Sequence, residues 1–423
     1  MSRPRFTRLS DWLAWQETLH SSTIELGLER VGNVAARMDL LPLPCPVISV
    51  AGTNGKGSSV AMLESIYRAA GYHTVCYCSP HIVRYNERIR VDGQEATDHQ
   101  LCDAFDAIDS ARGAITLSYF EFGTLAALFT IRQTHPDVAI LEVGLGGRLD
   151  AVNIVDADVA LVTAIGIDHV AWLGNDRESI GREKAGIFRA TRPAICADPS
   201  PPLSLRATAE ATGADWYAAG AGFSRSTTEN GWSFRGRQRH WNDLPRPALA
   251  GEHQLDNAAG ALAVIETLLE RLPVDQDAIQ RGLATVHLAG RAQRLPGPVE
   301  ILVDVAHNPA GATRLAELLQ ADKPAGRTWL VLGMLEDKDA AGFAAALRGC
   351  VDEWCLASLA TERGIAAATL QQRIGSHAVP RATRLFESVT EAMQYALANV
   401  CATDRIVVCG SFAAVAEVLA SQV

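Results

Sequence analysis

The segment AGTNGKGSS, residues 51–59, most constrains what this chain can fold into. The apolar run PVISV precedes it, and VAMLESIYRAAG follows with apolar residues at helical spacing, so the segment predicts a loop between a strand and a helix. Its glycines let backbone amides approach an anion, the helix N-terminus adds positive potential, and Lys56 brings a full charge. We therefore predict that this loop binds the phosphates of ATP.

The loop departs at two positions from the general phosphate-loop pattern G-x-x-x-x-G-K-[ST]. Val50 stands where the pattern has its first glycine, and Gly57 stands where a hydroxyl follows the lysine, with Ser58 one place later. A plain glycine-rich turn between a strand and a helix is the alternative. By itself the loop predicts a nucleotide site and no particular reaction.

The length and net charge of the chain limit its number of domains and its possible partners. At 423 residues the chain is long for one hydrophobic core, so two domains are expected. The net charge of -10 comes without a block of Lys and Arg, which argues against a nucleic-acid partner or an anionic membrane surface. The nine cysteines are scattered, and no apolar run approaches the length of a membrane span. We expect a cytoplasmic protein with reduced cysteines.

Strand and helix patterns alternate along the chain, as in a parallel α/β sheet. Helical spacing within residues 9–40 and over 119–133 predicts helices, and the buried strands of a first domain are predicted at 74–78, 138–147, 159–167 and 193–197. From about 200 to 250, alternating polar and aromatic residues with turn dipeptides indicate a small β-appendage.

A second, smaller doubly wound domain is predicted after a segment rich in Gly, Pro and Arg. We divide the chain into a first domain at 1–290, a linker at 291–299 and a second domain at 300–423. The strands of the second domain are predicted at 301–306, 328–335, 353–359 and 405–410.

Polar residues follow several of these strands, at the edge where open α/β sheets bind ligands. Glu142 could reach the magnesium of a nucleotide, or be an exposed strand-end carboxylate. His169 could contact metal or phosphate, or be structural. Asp304 and His307 could project into an interdomain cleft, or lie in a surface turn. Lys184 alone is indistinguishable from a solvated helical charge.

Six segments in this order resemble the folate branch of the Mur ligase superfamily: GTNGKGS, LEVGLGGRLDAVN, IDH, EKAGIF, AGR and DVAHNP. The resemblance covers essentially the whole chain, and the glycine after Lys56 is characteristic of this branch. It implies an α/β fold in which a P-loop-containing parallel-sheet ATPase domain, of the Mur ligase central-domain type, precedes a smaller Rossmann-like C-terminal domain.

The activity implied is ATP-dependent amide formation, in which ATP phosphorylates a carboxylate and the amine of L-glutamate displaces phosphate from the acyl phosphate. Bifunctional members of the branch add L-glutamate to 7,8-dihydropteroate and further γ-glutamates to tetrahydrofolates. The alternatives are polyglutamylation only, a non-folate Mur-type ligase of cell-wall synthesis, and a nucleotide switch without bond-making chemistry. The Mur-type ligase should carry an additional N-terminal domain, whereas only about 50 residues precede the loop.

The resemblance also assigns site residues. Those implied for ATP are Thr53, Asn54, Gly55, Lys56, Gly57, Ser58, Asn257, Arg291 and Asp304. Those implied for magnesium are Ser79, Glu142 and His169, with Lys184 if its amine is carbamylated. The catalytic residues implied are Lys56, Lys184 and His307, with His307 and Ser411 near the incoming glutamate. The dihydropteroate positions implied are Thr18, Leu19, His20, Ser21, Ser118, Tyr119, Phe120, Glu121 and Leu149.

The cofactors implied are ATP and Mg²⁺ at two sites, and a monovalent cation is compatible with the family. The only partners implied are small-molecule substrates, and we expect a monomer.

Overall fold

A computed structural model describes residues 4–20, 25–229, 231–375 and 383–421 of the chain. Its largest feature is an eight-stranded sheet in the order β4-β3-β2-β5-β1-β6-β7-β8. Six of the strands are parallel, and β3 and β4 form an antiparallel edge. The strands are β1 (Val47–Ala51), β2 (Thr74–Tyr77), β3 (Ile89–Val91), β4 (Gln94–Glu95), β5 (Val138–Glu142), β6 (Val159–Val162), β7 (Pro193–Cys196) and β8 (Asp215–Ala218).

Helices cover both faces of this sheet, which explains why its central strands are continuously apolar. They are α1 (Leu9–Leu19), α2 (Glu29–Arg37), α3 (Lys56–Ala69), α4 (Asp98–Arg112), α5 (Tyr119–Thr134), α6 (Val170–Leu173), α7 (Arg177–Lys184), α8 (Leu203–Thr212), α9 (His253–Leu268) and α10 (Gln276–Thr285). One core joins α1, α2, α4 and α5 to one face, and a second core joins α3, α9 and α10 to the other. Three 3₁₀ turns, Tyr85–Arg88, Ala151–Ile154 and Ala185–Ile187, complete this part.

Two further sheets follow. An antiparallel sheet of three strands contains β9 (Ser224–Thr228), β10 (Gly231–Arg235) and β11 (His240–Leu244). The last sheet has the order β12-β13-β17-β14-β15-β16 and is parallel except for β12. Its strands are β12 (Gln293–Leu295), β13 (Glu300–Val303), β14 (Thr328–Leu332), β15 (Glu353–Ala357), β16 (Thr383–Phe386) and β17 (Arg405–Cys409).

The helices of this last sheet are α11 (Pro309–Ala321), α12 (Ala340–Leu347), α13 (Ala367–Ile374), α14 (Val389–Asn399) and α15 (Phe412–Ala420). They lie on both of its faces, in two separate cores. The prediction of a second doubly wound unit is therefore confirmed. Among the residues just described, no helix has the length and apolar character needed to cross a membrane.

The central position of β1 determines where the site forms. In the parallel register Val50 pairs with Glu142 of β5, and Ala51 pairs with Val162 of β6. The phosphate loop therefore leaves the sheet between Glu142 and the segment that follows β6. This is the edge at which ligands bind in open α/β folds.

The structure corrects several sequence predictions. The strand predicted at 138–147 ends at Glu142. The strand predicted at 159–167 ends at Val162. The Thr163 hydroxyl then donates to the Asn54 carbonyl oxygen at 2.8 Å, with the Ala51 carbonyl oxygen 3.2 Å away, and so ties the chain to the phosphate loop. The β-appendage is confined to 224–244, since 203–212 forms α8 and 215–218 joins the main sheet. The predicted linker 291–299 contains β12, which pairs with β13.

Close packing of α10 on α3 generates a testable prediction. A Cβ added at Gly282 in α10 would lie 2.6 Å from the Ile66 Cα in α3, and backbone cannot yield there at low cost. We expect Gly282→Ala to lower the free energy of unfolding by about 1–3 kcal/mol despite the better helix propensity of alanine.

Gly32 in α2 is the matched control, since nothing lies within 4 Å of a Cβ added there. Gly32→Ala should raise the free energy of unfolding by about 0.5–1 kcal/mol. Urea titrations of both variants check the pair, and equal effects would contradict the packing described here.

Candidate active site

The phosphate loop is shaped by glycines that no other residue could replace. Gly52 and Gly55 have φ angles of 151° and 93°. A Cβ at Gly55 would lie 2.3 Å from Asn257 Oδ1, and a Cβ at Gly52 would lie 1.8 Å from Thr163 Oγ1. The N–H groups of Thr53 and Asn54 both donate to the Ala164 carbonyl, at 2.9 and 3.3 Å. The loop is thereby fixed at the N-terminus of α3.

Lys56, Glu142 and Ser79 lie together at the carboxyl ends of the three neighbouring strands β1, β5 and β2. The Lys56 Nζ is 3.9 Å from Glu142 Oε1, and the Ser79 N–H donates to Glu142 Oε2 at 3.3 Å. Burial raises the pKa of Glu142, while the charge of Lys56 lowers it. A buried carboxylate beside a serine offers the oxygen ligands that Mg²⁺ prefers, so these residues fit a magnesium ion.

Lys184 is buried beneath the phosphate loop, so a solvated helical charge is the wrong interpretation of this residue. Its Nζ donates to the Gly52 carbonyl oxygen at 2.9 Å. Burial, followed by the nearby charge of Lys56, lowers the pKa of Lys184 to about 7. The amine is thus largely uncharged above neutral pH, which is the reactive form of an amine.

Asp168 and His169 face the second domain from the loop after β6. The Asp168 carboxylate accepts from Lys338 Nζ at 2.6 Å and from Asn308 Nδ2 at 3.1 Å, and His307 Nε2 lies 3.2 Å away. Burial raises the pKa of Asp168, but the hydrogen bond from His307 and the surrounding positive charges hold it well below its usual range.

His169 is a neutral imidazole in this setting. Burial is the main cause that lowers its pKa to about 4, and Lys338 and Lys56 act in the same direction. A neutral imidazole is the form that ligates metal ions. Ligand atoms of Asp168, His169 and Asp337 lie within 4.8 Å of one another.

Of the residues predicted to contact the nucleotide across the linker, Asn257 and Arg291 lie beside the loop. Arg291 has its guanidinium 5.5 Å from the centre of the Phe412 ring, and burial lowers its pKa while Asp304 and Glu142 raise it. A Cβ built on Gly57 would lie 3.8 Å from both Arg291 and Glu142. Asp304 accepts from the N–H groups of Ala292 at 2.8 Å and Ala306 at 2.7 Å, so it also fixes the chain around it.

His307 and Ser411 follow the adjacent strands β13 and β17. The Nδ1 of His307 is 2.9 Å from the Val305 carbonyl oxygen. Ser411 is buried, and its Oγ accepts from the Ala414 N–H at 3.0 Å as the N-cap of α15. The structure thus gives Ser411 a capping role that the sequence analysis did not foresee.

The segment Ser118 to Glu121 starts α5 and forms a capping box. Ser118 Oγ accepts from the Glu121 N–H at 3.3 Å, and Glu121 Oε2 accepts from the Ser118 N–H at 2.7 Å. Between them, Tyr119 lies 5.3 Å from the Arg88 guanidinium, and a Cβ at Gly144 would lie 2.6 Å from the Phe120 ring. The two polar residues hold the helix start, and the two aromatic residues flank it.

The other positions implied for dihydropteroate are tied to this segment. Thr18 and Leu19 end α1, where the Thr18 hydroxyl donates to the Trp15 carbonyl, and the Leu149 carbonyl accepts from the Gly27 N–H at 3.1 Å. His20 lies 3.0 Å from Thr116 Oγ1 and 2.5 Å from Glu25 Oε2. Ser21 lies outside the described residues.

Arg30 completes the link between α1 and α5. It contacts Glu25, and its guanidinium is 3.1 Å from Glu121 Oε1, within ion-pair distance but without hydrogen-bond alignment. Both polar side-chain atoms of the buried Gln16 also lack a hydrogen-bond partner. Buried polar groups without partners are uncommon in folded proteins.

Three buried or partly buried polar residues near the predicted site are not identified by the sequence analysis: Gln16, Arg30 and Asp150. Asp150 is buried, accepts from the N–H groups of Leu145 at 2.8 Å and Val152 at 3.0 Å, and burial raises its pKa to about 6. An aspartate before a turn is a recognisable capping signal that could have identified it. Gln16 and Arg30 carry no such signal, since each is an ordinary polar residue in a helix pattern.

Comparisons with known proteins agree with this geometry. The family model of the Mur ligase middle domain matches residues 50–265, and that of the Mur ligase glutamate ligase domain matches residues 290–412. Dihydrofolate synthase/folylpolyglutamate synthase of Escherichia coli K12 is 47% identical over 412 residues, covering 97% of this chain and 94% of the relative. The chain belongs to this family of Mur ligases.

Solved structures of the family share the whole architecture. E. coli FolC in complex with DHPP and ADP is 46% identical, with a TM-score of 0.93 over 100% of this chain and 99% of that one. A bifunctional folylpolyglutamate synthase/dihydrofolate synthase with Mn, AMPPNP and L-glutamate bound is 44% identical, with a TM-score of 0.91 over 100% of both chains. The predicted fold class is confirmed.

The pKa of Lys184 generates a prediction about stability and pH. Folding displaces a proton from this amine between its folded pKa of about 7 and its ordinary 10.5, so its cost to stability is greatest below pH 7 and fades towards 10.5. Lys184→Met removes that cost. We expect the variant to gain most relative to wild type at about pH 6.5 and least at about pH 9.5.

Denaturant midpoints in metal-free, carbon-dioxide-free buffer at both pH values check this prediction. Lys323→Met, at an exposed lysine, is the control and should show no such trend. A difference between Lys184→Met and wild type that is independent of pH would contradict the buried neutral amine.

Proposed function

We propose that this chain is an ATP-dependent ligase that adds L-glutamate to 7,8-dihydropteroate and further γ-glutamates to tetrahydrofolates. The observation that carries the proposal is the assembly of Lys56, Glu142 and Lys184 around the phosphate loop, opposite His307 of the glutamate ligase domain. The relatives support it, since one solved structure holds DHPP with ADP and another holds AMPPNP with L-glutamate.

The first step transfers a phosphoryl group from ATP to the carboxylate of the acceptor. Lys56 and the backbone amides of the phosphate loop stabilise the negative charge of the transferring group, which is the main protein contribution to phosphoryl transfer. The product, an acyl phosphate, has a good leaving group where the carboxylate had a poor one. Water must be kept out, because it would hydrolyse this mixed anhydride.

Magnesium fits the donors described above. Ser79 and Glu142 would hold one ion, and His169 with a carbamylated Lys184 would hold the second. When bound, magnesium neutralises charge on the phosphates. The buried amine of Lys184 is suited to carbamylation, because its pKa of about 7 leaves an uncharged nucleophile for carbon dioxide. Its neighbour Lys56 would then face an anion.

The second step is attack of the glutamate amine on the acyl phosphate, with release of phosphate. His307 and Ser411 lie at the carboxyl ends of β13 and β17, the edge of the second domain that faces the phosphate loop. We assign them to the positioning of glutamate. Ser411 would contribute through the start of α15, since its side chain caps that helix.

Dual activity follows from the dihydropteroate positions. Thr18 to His20, Ser118 to Glu121 and Leu149 are joined through Glu25, Gly27 and Arg30, which supports one pteroate-binding region between α1 and α5. Polyglutamylation only is the alternative. The match to folate ligases over nearly the whole chain argues against a non-folate Mur-type ligase. A monomeric state, a cytoplasmic location, a monovalent cation and the absence of nucleic-acid and membrane partners stay predictions.

Product mass tests the proposal directly. Protein incubated with ATP, Mg²⁺, L-glutamate and dihydropteroate should yield dihydrofolate and ADP, and tetrahydrofolate should gain one or more glutamates. Extension of tetrahydrofolate without conversion of dihydropteroate would leave polyglutamylation only. ADP formation that requires neither a pteroate nor glutamate would reject ligation altogether.

Loss of the Lys56 charge should abolish ligation while leaving the fold intact. We expect Lys56→Ala to lower kcat by at least about 100-fold, since it removes a preorganised charge from the transferring phosphoryl group. Lys323→Ala, at the exposed lysine, should keep the wild-type rate. Turnover of Lys56→Ala near wild type would contradict the assignment of the phosphate loop.

Lys184→Ala tests carbamylation. The variant should be folded and nearly inactive, and a short carboxylic acid in solution should restore part of the rate by supplying an anion in the space vacated beside Gly52. The intact mass of wild-type protein kept under carbon dioxide provides a second measurement. A bare lysine together with full activity of Lys184→Ala would reject the modification.

A further inference from the structure

The carboxylate of Asp168 is a point at which the glutamate ligase domain contacts the ATPase domain directly. It receives Lys338 Nζ at 2.6 Å and Asn308 Nδ2 at 3.1 Å, both from the second domain. All three side chains are almost fully buried, and only 5% of the Lys338 side chain is exposed. A buried lysine and a buried carboxylate are each unfavourable unless paired, so this contact requires both domains to be in place.

Asn308 extends the contact to the phosphate loop. Its Nδ2 donates to Asn54 Oδ1 at 3.2 Å as well as to Asp168, and its Oδ1 accepts from Asn54 Nδ2 at 3.3 Å. The same Oδ1 accepts from the Gly311 N–H at 2.8 Å and so begins α11. One amide side chain therefore connects the first turn of a helix in the second domain to the loop that holds phosphate.

Asp168 also fixes the backbone at His169. The His169 N–H donates to Asp168 Oδ1 at 2.8 Å, the same oxygen that receives Lys338. His169 has a φ of 51°, in the left-handed region that non-glycine residues adopt only when their surroundings require it. The direction of the imidazole therefore depends on where the Asp168 carboxylate is held.

We propose that Asp168, Asn308 and Lys338 form an interdomain clasp that couples docking of the glutamate ligase domain to the position of His169 and to the phosphate loop. In the docked state Lys338 and Asn308 hold the carboxylate where it accepts the His169 N–H. Undocking removes both donors and leaves Asp168 free to turn towards water. The clasp residues are positioning residues, and they hold His169 and Asn54 in place when the glutamate domain is docked.

The clasp would limit hydrolysis of the acyl phosphate. An acyl phosphate formed before the glutamate domain docks would be exposed to water, and its energy would be lost by hydrolysis. Because Asn308 contacts Asn54 directly, docking of the second domain adds a pair of hydrogen bonds to the phosphate loop. The other charges near the clasp are His307 and Asp337, with Asp337 paired to Lys338 at 3.3 Å and to Arg363.

A double-variant cycle measures docking without any reaction. Lys338→Met leaves Asp168 buried without its cation, whereas Asp168→Asn combined with Lys338→Met removes both charges, which is far less costly than removing one. Small-angle X-ray scattering of ADP-bound, folate-free protein should show a larger radius of gyration for Lys338→Met and a return towards wild type for the double variant. Wild-type scattering of Lys338→Met would overturn the clasp.

Asn308→Asp separates docking from helix capping. The aspartate still accepts the Gly311 N–H, but it presents a second carboxylate to Asp168 and loses both amide donations. If the fraction of protein with docked domains falls to about a tenth, the KM for glutamate should rise about tenfold, and the affinity for ADP should change less. Asp339→Asn is the matched control, because Asp339 caps α12 by accepting from the Gly342 N–H at 2.9 Å and lies outside the clasp.

Hydrogen exchange completes the test. Amides in 164–173 should exchange faster in Asn308→Asp than in wild type, and amides in 339–343 should be unchanged. Unaltered exchange at 164–173 together with an unaltered KM for glutamate would overturn the clasp. The kinetic arm rests on the proposed function, whereas scattering and exchange do not, so a failure of the clasp can be told from a failure of the reaction.

Discussion

The burial of Lys184 under the Gly52 carbonyl is the interaction on which the rest of the site depends. A charged amine at this depth is unfavourable, which lowers the pKa of Lys184 to about 7. Lys184 therefore differs chemically from Lys56 at the start of α3, where the Lys56 Nζ lies 3.9 Å from Glu142. The chain has four lysines, and three of them, Lys56, Lys184 and Lys338, lie in or beside the site. Each meets a different neighbour: Glu142, the Gly52 carbonyl oxygen and Asp168.

The position of each lysine follows from strand order. Because β1 lies between β5 and β6, the phosphate loop is enclosed by Glu142 on one side and by the loop from Thr163 to His169 on the other. Early termination of β6 at Val162 is what brings Asp168 to the second domain. A strand that continued to residue 167 would have directed those side chains along the sheet.

Much of this arrangement could be predicted from the sequence, because it depends on local patterns. The strand-loop-helix around Lys56 is predicted by an apolar run on each side of a glycine-rich segment. Glu142 and His307 are predicted as site residues because each follows an apolar run. Other features depend on contacts across long sequence distances. No local pattern shows that Lys184 reaches Gly52, or that Arg30 lies between Glu25 and Glu121. The sequence predicts that Ser411 contacts a ligand, and the structure shows that its hydroxyl caps a helix. A serine hydroxyl can serve either purpose, so the sequence does not distinguish the two.

The pairing of β12 with β13 has a mechanical consequence. Leu288 still packs on the core of the first domain, whereas the Gly290 carbonyl already accepts from the Val305 N–H of the second. Ala289 is the single residue between these two attachments, so it is the natural pivot. Arg291 follows Ala289 on the side that is attached to the second domain. The guanidinium near Gly57 and Glu142 is therefore supplied to the phosphate loop from the second domain, two residues beyond Ala289.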